Sequence, residues 1–227
     1  MAGAGVIDDY VTGLNRALRG PRSLRLDMVA EARDGLLDTA EAMQDAGLER
    51  EAAERAAVEE FGPIREIAPD YQERLGVAAG RRLAAMLFVG VPLTTLVWSM
   101  IWKVFPTAGT VYESTPAWFV PVARGVDMLQ LFIGLMGGVT LLVLGRGLRR
   151  IRRPRLVIRC LALFVWGAFP VMALLCGALM VGSGGSFGFG DYPPGMAASL
   201  VSYAAWTAQL YGALRCLTAT RHTPAAA

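Results

Sequence analysis

The 227 residues include a single histidine, His222, set in a Thr/Pro/Ala tail. A His-based metal centre or a Ser-His-Asp triad therefore lacks its material within the chain. Cysteine is scarce as well: Cys160, Cys176 and Cys216 all fall in apolar runs and show no CxxC spacing, which argues against a zinc site or a disulfide framework. The glycine-rich stretch from Gly182 to Gly188 lacks the Lys-Ser/Thr that would make it a phosphate-binding loop. Ser99, Ser199 and Ser202 sit in apolar runs with no base beside them. The expectation is a protein that is not an enzyme, with no catalytic residues, no metal and no cofactor. Residues 1–80 also lack the apolar core and cleavage pattern of a signal peptide.

Acidic residues are nearly missing from one part of the chain and crowded into the other. Residues 81–227 hold only Glu113, Asp127 and Asp191 against thirteen Lys/Arg, a net charge of +10. Residues 1–80 hold sixteen Asp/Glu against nine Lys/Arg, a net charge of −7. The overall +3 averages two opposite regions, so direct nucleic-acid binding is not expected from it. Hydrophobic residues make up 54% of the chain, with a mean hydropathy of +0.43, high for a soluble domain of this length.

The apolar excess lies in four runs, at about 83–105, 125–145, 156–182 and 196–218. Each supplies the roughly 20 residues a helix needs to cross about 30 Å of hydrocarbon. Continuous apolarity without strict alternation selects helices over barrel strands. Arg146, Arg149, Arg150, Arg152, Arg153, Arg155 and Arg159 crowd one connection, Arg81 and Arg82 precede the first run, and Arg215 and Arg221 close the last. The positive-inside rule then puts both termini and the 146–159 loop in the cytoplasm. The expected architecture is all-α, with a four-helix cytoplasmic domain over 1–78, a four-span bundle over 79–218 and a flexible tail over 219–227.

In the front segment, Ile7, Tyr10, Val11, Leu14 and Leu18 follow the spacing of one helix face. Gly20-Pro21 breaks that helix, and a second runs to about Ala46, with Val29, Ala32, Leu36, Ala40 and Met43 along one side and Gly47 as its stop. A third, Ala-rich helix spans about Glu49 to Phe61, and a fourth starts after Gly62-Pro63 with Ile64, Ile67, Ala68, Tyr71 and Leu75. The fourth is open to continuing through Arg81 into the first apolar run, although Gly76 and Gly80 weaken it.

These residues also resemble a known family. The Tyr10-x-x-x-Leu14-x-x-x-Leu18 helix, the acidic Glu31–Asp38 segment, Ala46-Gly47-Leu48, Glu51-Ala52-Ala53 and Phe61-Gly62-Pro63 leading into Ile67-Ala68 are similar to the HTH-associated α-helical signalling (HAAS) domain, a relative of the permease prefix domain. The resemblance implies a domain that precedes a few transmembrane helices, encoded beside a PadR-like regulator. Where that family often carries a histidine in the central helix, this chain has Gly35-Leu36, and a role tied to such a histidine does not transfer.

Three sets of residues stand out as candidate sites. Asp27, Glu31, Asp34, Asp38, Glu41 and Asp45 recur every three or four positions on the second helix, either as a solvated face or as a docking face for a basic partner. Arg146, Arg149, Arg150, Arg152, Arg153 and Arg155 fit orientation, anionic-lipid binding or a latch onto the acidic domain. Gly134 and Gly138, with Gly137 and Gly145, permit a close helix contact, within the bundle or between subunits of a homo-oligomer. Gln130 and Gln209 are expected to bond between helices rather than line a pore. Arg124 and Asp127, three residues apart on one helical face, can pair with each other and are expected to act as interfacial anchors. The favoured expectation is a bacterial inner-membrane signalling adaptor, in contact with membrane lipids, that presents its acidic domain to a PadR-like winged-helix regulator. The alternative is a small transporter or permease subunit with a regulatory prefix.

Overall fold

A computed structural model describes residues 5–105, 116–146, 154–182 and 193–220. Among the described residues the regular structure is all helical: α1 (Val6–Ala17), α2 (Arg22–Asp45), α3 (Arg50–Phe61), α4 (Ile64–Val104), α5 (Phe119–Arg146), α6 (Pro154–Gly182) and α7 (Pro193–Thr220). The breaks between the first four fall where glycine and proline require them. Gly47 and Gly62 hold φ of +100° and +101°, a region that side-chain-bearing residues rarely adopt. Pro21 caps α2, and Pro63 stands directly before α4. Past Pro63 no break occurs for 41 residues, and α4 carries both Gly76 and Gly80 within it.

The chain divides into two compact units, residues 1–79 with 215–227, and residues 80–214. In the first, α1 buries Ile7, Tyr10, Val11 and Leu14, the face its spacing foretold, and Leu18 joins them just beyond its end. Val29, Ala32, Leu36 and Ala40 of α2 close on that face, and α3 adds Ala53 and Ala57. The small alanines let α3 approach its neighbours without displacing a leucine. Burying each large aliphatic side chain of this core is worth about 1.5–3 kcal/mol.

The last turn of α7 belongs to this first unit. Ala219 and Thr220, assigned from the sequence to a flexible tail, are helical and buried. Ala219 and Leu75 both lie against Gly20, where an added methyl would stand 2.9 Å from Leu75 Cδ2 and 3.5 Å from the Ala219 methyl. Small residues on α7 let its end pack here, and nothing in the local sequence announces the partner.

The second unit comprises α5, α6 and the greater parts of α4 and α7. Among the described residues three helices are long and apolar enough to cross a membrane: α4, α5 and α6. α7 spans 28 residues, ample in length, but Ser199, Ser202, Tyr203, Thr207, Gln209 and Tyr211 dilute its apolar character. The unit is apolar outside as well as inside. Val89, Leu93, Leu96, Leu131, Leu142 and Leu174 are all more than half exposed, a surface that water would penalise and hydrocarbon would not. The length and the apolar surface of these helices are those of a membrane protein.

Where α4 and α5 approach, the tightest position is Gly137, one of the glycines noted beside Gly134 and Gly138. A methyl there would lie 2.9 Å from the Ala84 carbonyl oxygen and 2.9 Å from the Phe88 nitrogen. At Gly138 it would meet the Phe88 ring at 2.8 Å, whereas at Gly134 the nearest atom, Val91 Cγ1, is 3.8 Å away. The contact foreseen at Gly134 and Gly138 is therefore made within the bundle, and centres on the Gly137-Gly138 pair. Thr95 donates to Gln130 Oε1 at 3.0 Å and Trp98 Nε1 to Ser202 Oγ at 3.0 Å, tying α4 to α5 and α7. Phe132 meets Phe164 edge-on at 5.5 Å between α5 and α6.

Candidate functional site

The candidate site is the outer face of α2. At about 100° per residue, Asp27, Glu31, Asp34, Asp38, Glu41 and Asp45 line a stripe roughly half a turn around the helix from the buried Val29, Ala32, Leu36 and Ala40. All six carboxylates are exposed, and among the described residues none takes part in an ion pair. The arginine of α2 that does pair, Arg33, turns away to Asp8 of α1 at 2.9 Å. Neighbouring like charges on a helix cost about 0.2–0.5 kcal/mol per pair, so the stripe weakens its own helix. Two exposed leucines, Leu26 and Leu37, border it at 42% and 39% exposure.

Three side chains hold the scaffold beneath this face. The Tyr10 hydroxyl donates to the Gly62 carbonyl at 2.7 Å, bracing the α3–α4 turn from α1. Its ring meets Phe61 edge-on at 5.8 Å, and Phe61 in turn faces Tyr71 at 6.4 Å. Burial raises the Tyr10 hydroxyl above its ordinary pKa, with Tyr71 adding to the effect. Burial likewise raises Tyr71, opposed by Arg74 and helped by Glu31.

Glu54, nearly buried on α3, accepts the Val6 amide at 3.1 Å and the Arg50 guanidinium at 3.3 Å. Its charge thus stands at the positive end of α1, where no side chain of α1 provides a cap. Gln72 uses its whole amide. It accepts from the Arg19 nitrogen at 2.8 Å, and donates to the carbonyls of Arg19 at 2.6 Å and Ala219 at 2.7 Å. Arg215 Nη1 adds a bond to the Gly20 carbonyl at 3.3 Å. Glu54 and Gln72 escape sequence reasoning, because each acts on a backbone group distant in the chain.

Residues 9–70 match the HAAS family model. The front unit carries a HAAS domain. No curated protein and no solved structure gives a match to this chain. The HAAS region covers most of α1, all of α2 and α3 and the start of α4, so the acidic stripe, Tyr10 and Glu54 lie within it, and Gln72 falls just beyond its end. The motif residues of the HAAS domain acquire physical roles here: Tyr10 binds the Gly62 turn, Leu14 and Leu18 are fully buried, and Ala53 sits at the α3 contact. Gly35, in place of the frequent histidine, is exposed on α2 with open space around it.

The other expected sites fare differently. Arg149, Arg150, Arg152 and Arg153 lie outside the described residues, and Arg146 ends α5. Arg155 stands in the first turn of α6. Arg124 and Asp127 are both exposed and form no ion pair with each other. Gln130 bonds across to α4, as expected. Gln209, expected to do the same, finds no partner among the described residues. The three cysteines are free thiols.

Proposed function

We propose that this protein is a membrane-anchored signalling adaptor whose HAAS domain offers the acidic face of α2 to a basic surface on a transcriptional regulator of the PadR-like winged-helix type. The observation that carries the reading is the stripe itself. Six exposed carboxylates face outward without a counter-charge, at a cost to the helix that bears them. Leu26 and Leu37 beside them would give a partner apolar contacts at the edge of the charged zone. Charge guides encounter and selects the partner, and such apolar anchors add affinity.

In this reading α7 is a fourth span, and the chain sits in the bacterial inner membrane with both termini in the cytoplasm. Support comes from the last turn of α7 belonging to the same unit as the HAAS domain, because neighbours in one folded unit share one side of the bilayer. The arginines around 146–159 supply the positive-inside signal for that side. The chain acts by binding rather than by catalysis, and the membrane unit biases which of two states the HAAS domain presents, by its differential affinity for whatever it senses.

The test is co-purification. Full-length protein extracted in detergent is expected to retain a PadR-like regulator at low salt and to release it as salt rises and screens the exposed charges. Replacing Asp34, Asp38 and Glu41 with Asn, Asn and Gln should abolish retention while leaving the helical content unchanged. A regulator held equally well by the triple variant would refute the docking face, and one never retained at any salt would refute the adaptor role.

A further inference from the structure

The membrane unit contains a cleft where all four of its helices meet. Thr94 of α4, Gln130 of α5, Phe169 and Met172 of α6, and Trp206 and Gln209 of α7 line it, and it encloses about 40 Å³. That is room for a few small groups, since one water needs roughly 10–15 Å³ on this scale. These positions stand near the middle of α5, α6, α7 and the apolar part of α4, so in a bilayer the cleft lies at the hydrocarbon core. The inference rests on the membrane reading of this unit.

Hydrogen-bonding capacity is left over in this cleft. Thr94 donates back to its own helix, at 2.8 Å from the Val91 carbonyl. Gln130 uses its oxygen for Thr95. Gln209 has no partner among the described residues; its amide nitrogen packs against Gly90, where an added methyl would be 3.6 Å away. A primary amide carries two donors and an acceptor, and each one left unmatched in hydrocarbon is costly. Phe169 and Trp206 meet edge-on at 6.1 Å to form an aromatic wall, and Met172 supplies an adaptable one.

The geometry points to a binding site for an uncharged amphiphile that places one hydroxyl or carbonyl group against Gln209 and lays its alkyl chain along the apolar wall. No Arg, Lys, Asp or Glu lines the cleft, so a phosphate or carboxylate head would enter without a counter-charge and is disfavoured at this depth. A hydroxyl matches the amide best, because it both donates and accepts. A helix of a second copy does not fit, because the cleft encloses only about 40 Å³. Occupancy of this cleft is how the membrane unit would read its surroundings.

The experiment uses full-length protein in phosphatidylcholine vesicles with a diazirine-bearing hexadecanol as photoprobe. Peptides carrying Val91, Met172 and Trp206 are expected to be labelled, and unlabelled hexadecanol to compete the label away. Gln209→Met, which keeps side-chain volume, should weaken that competition about tenfold, the effect of one lost hydrogen bond. Hexadecanol should also raise the melting temperature of the wild type and not that of Gln209→Met. Label confined to outward residues such as Leu142 and Leu174, or competition unchanged in the variant, overturns the site and leaves the membrane reading standing. A variant melting higher than wild type whether or not hexadecanol is present means an empty cleft, which also overturns it. Protein that fails to float with the vesicles overturns the membrane reading and the site together.

Discussion

Replacing Gln72 with leucine is expected to release the last turn of α7 from the HAAS domain while leaving both units folded. Three hydrogen bonds disappear, two to Arg19 and one to the Ala219 carbonyl. The Arg19 pair is exposed and belongs at the low end of the usual net value, about 0.5 kcal/mol each. The Ala219 bond is part-buried and satisfies one of the last four carbonyls of α7, which have no partner within their own helix. Leaving that carbonyl dry and unpaired costs about 1–2 kcal/mol. The total of about 2–3 kcal/mol corresponds to a roughly 30- to 150-fold rise in local opening.

Hydrogen exchange read by mass spectrometry on the full-length protein in detergent would report it. Peptides covering 215–220 and the α1–α2 turn should lose protection by that factor, with α5 and α6 unchanged. Gln72→Glu should do more harm than leucine, because a carboxylate offers no donor and sets its charge against two carbonyl oxygens. Unchanged protection at 215–220 in both variants would refute the reasoning. It would show that the apolar contacts of Leu75 and Ala219 hold the turn by themselves.

Gly35→Ala should stabilise the HAAS domain by about 0.8–1 kcal/mol, since Gly35 is helical and exposed with nothing near its missing methyl; a denaturant midpoint that fails to rise would contradict this. Tyr10 has a folded-state pKa above its unfolded value, so its contribution is fully present below about pH 10 and lost as pH climbs through the raised pKa. Exchange protection of α1 should accordingly fall on the alkaline side of pH 10, and Tyr10→Phe, which also drops the Gly62 bond, should flatten that dependence. Gly137→Val should force α4 and α5 apart at Ala84 and Phe88 and lower the melting temperature of the membrane unit; Gly134→Ala, with ordinary contact distances, should be tolerated.

The face of α1 was readable in the chain because a helix repeats every 3.6 residues and its buried positions must repeat with it. The acidic stripe on α2 was legible for the same reason, as the complement of that helix's buried side. Composition and length alone also exposed the apolar helices, since hydrocarbon tolerates nothing else over that distance. Glycine and proline marked the turns at Gly47 and Gly62-Pro63 through local backbone geometry. All of these are properties of residues and near neighbours, and the linear order contains them.

Partners far apart in the chain were settled only by folding. Glu54 is one of many glutamates until α3 brings it to the amide of Val6. Gln72 gains its role from a carbonyl 147 residues away. Gly137 rather than Gly134 became the tight contact because the rotation of α5 against α4 selects it, and spacing on one helix says nothing of the rotation of another. Gln130 and Gln209 look alike in sequence, yet one found Thr95 and the other faces an open cleft. Periodicity tells which side of a helix is buried, but the packing of side chains around each position decides what it is buried against.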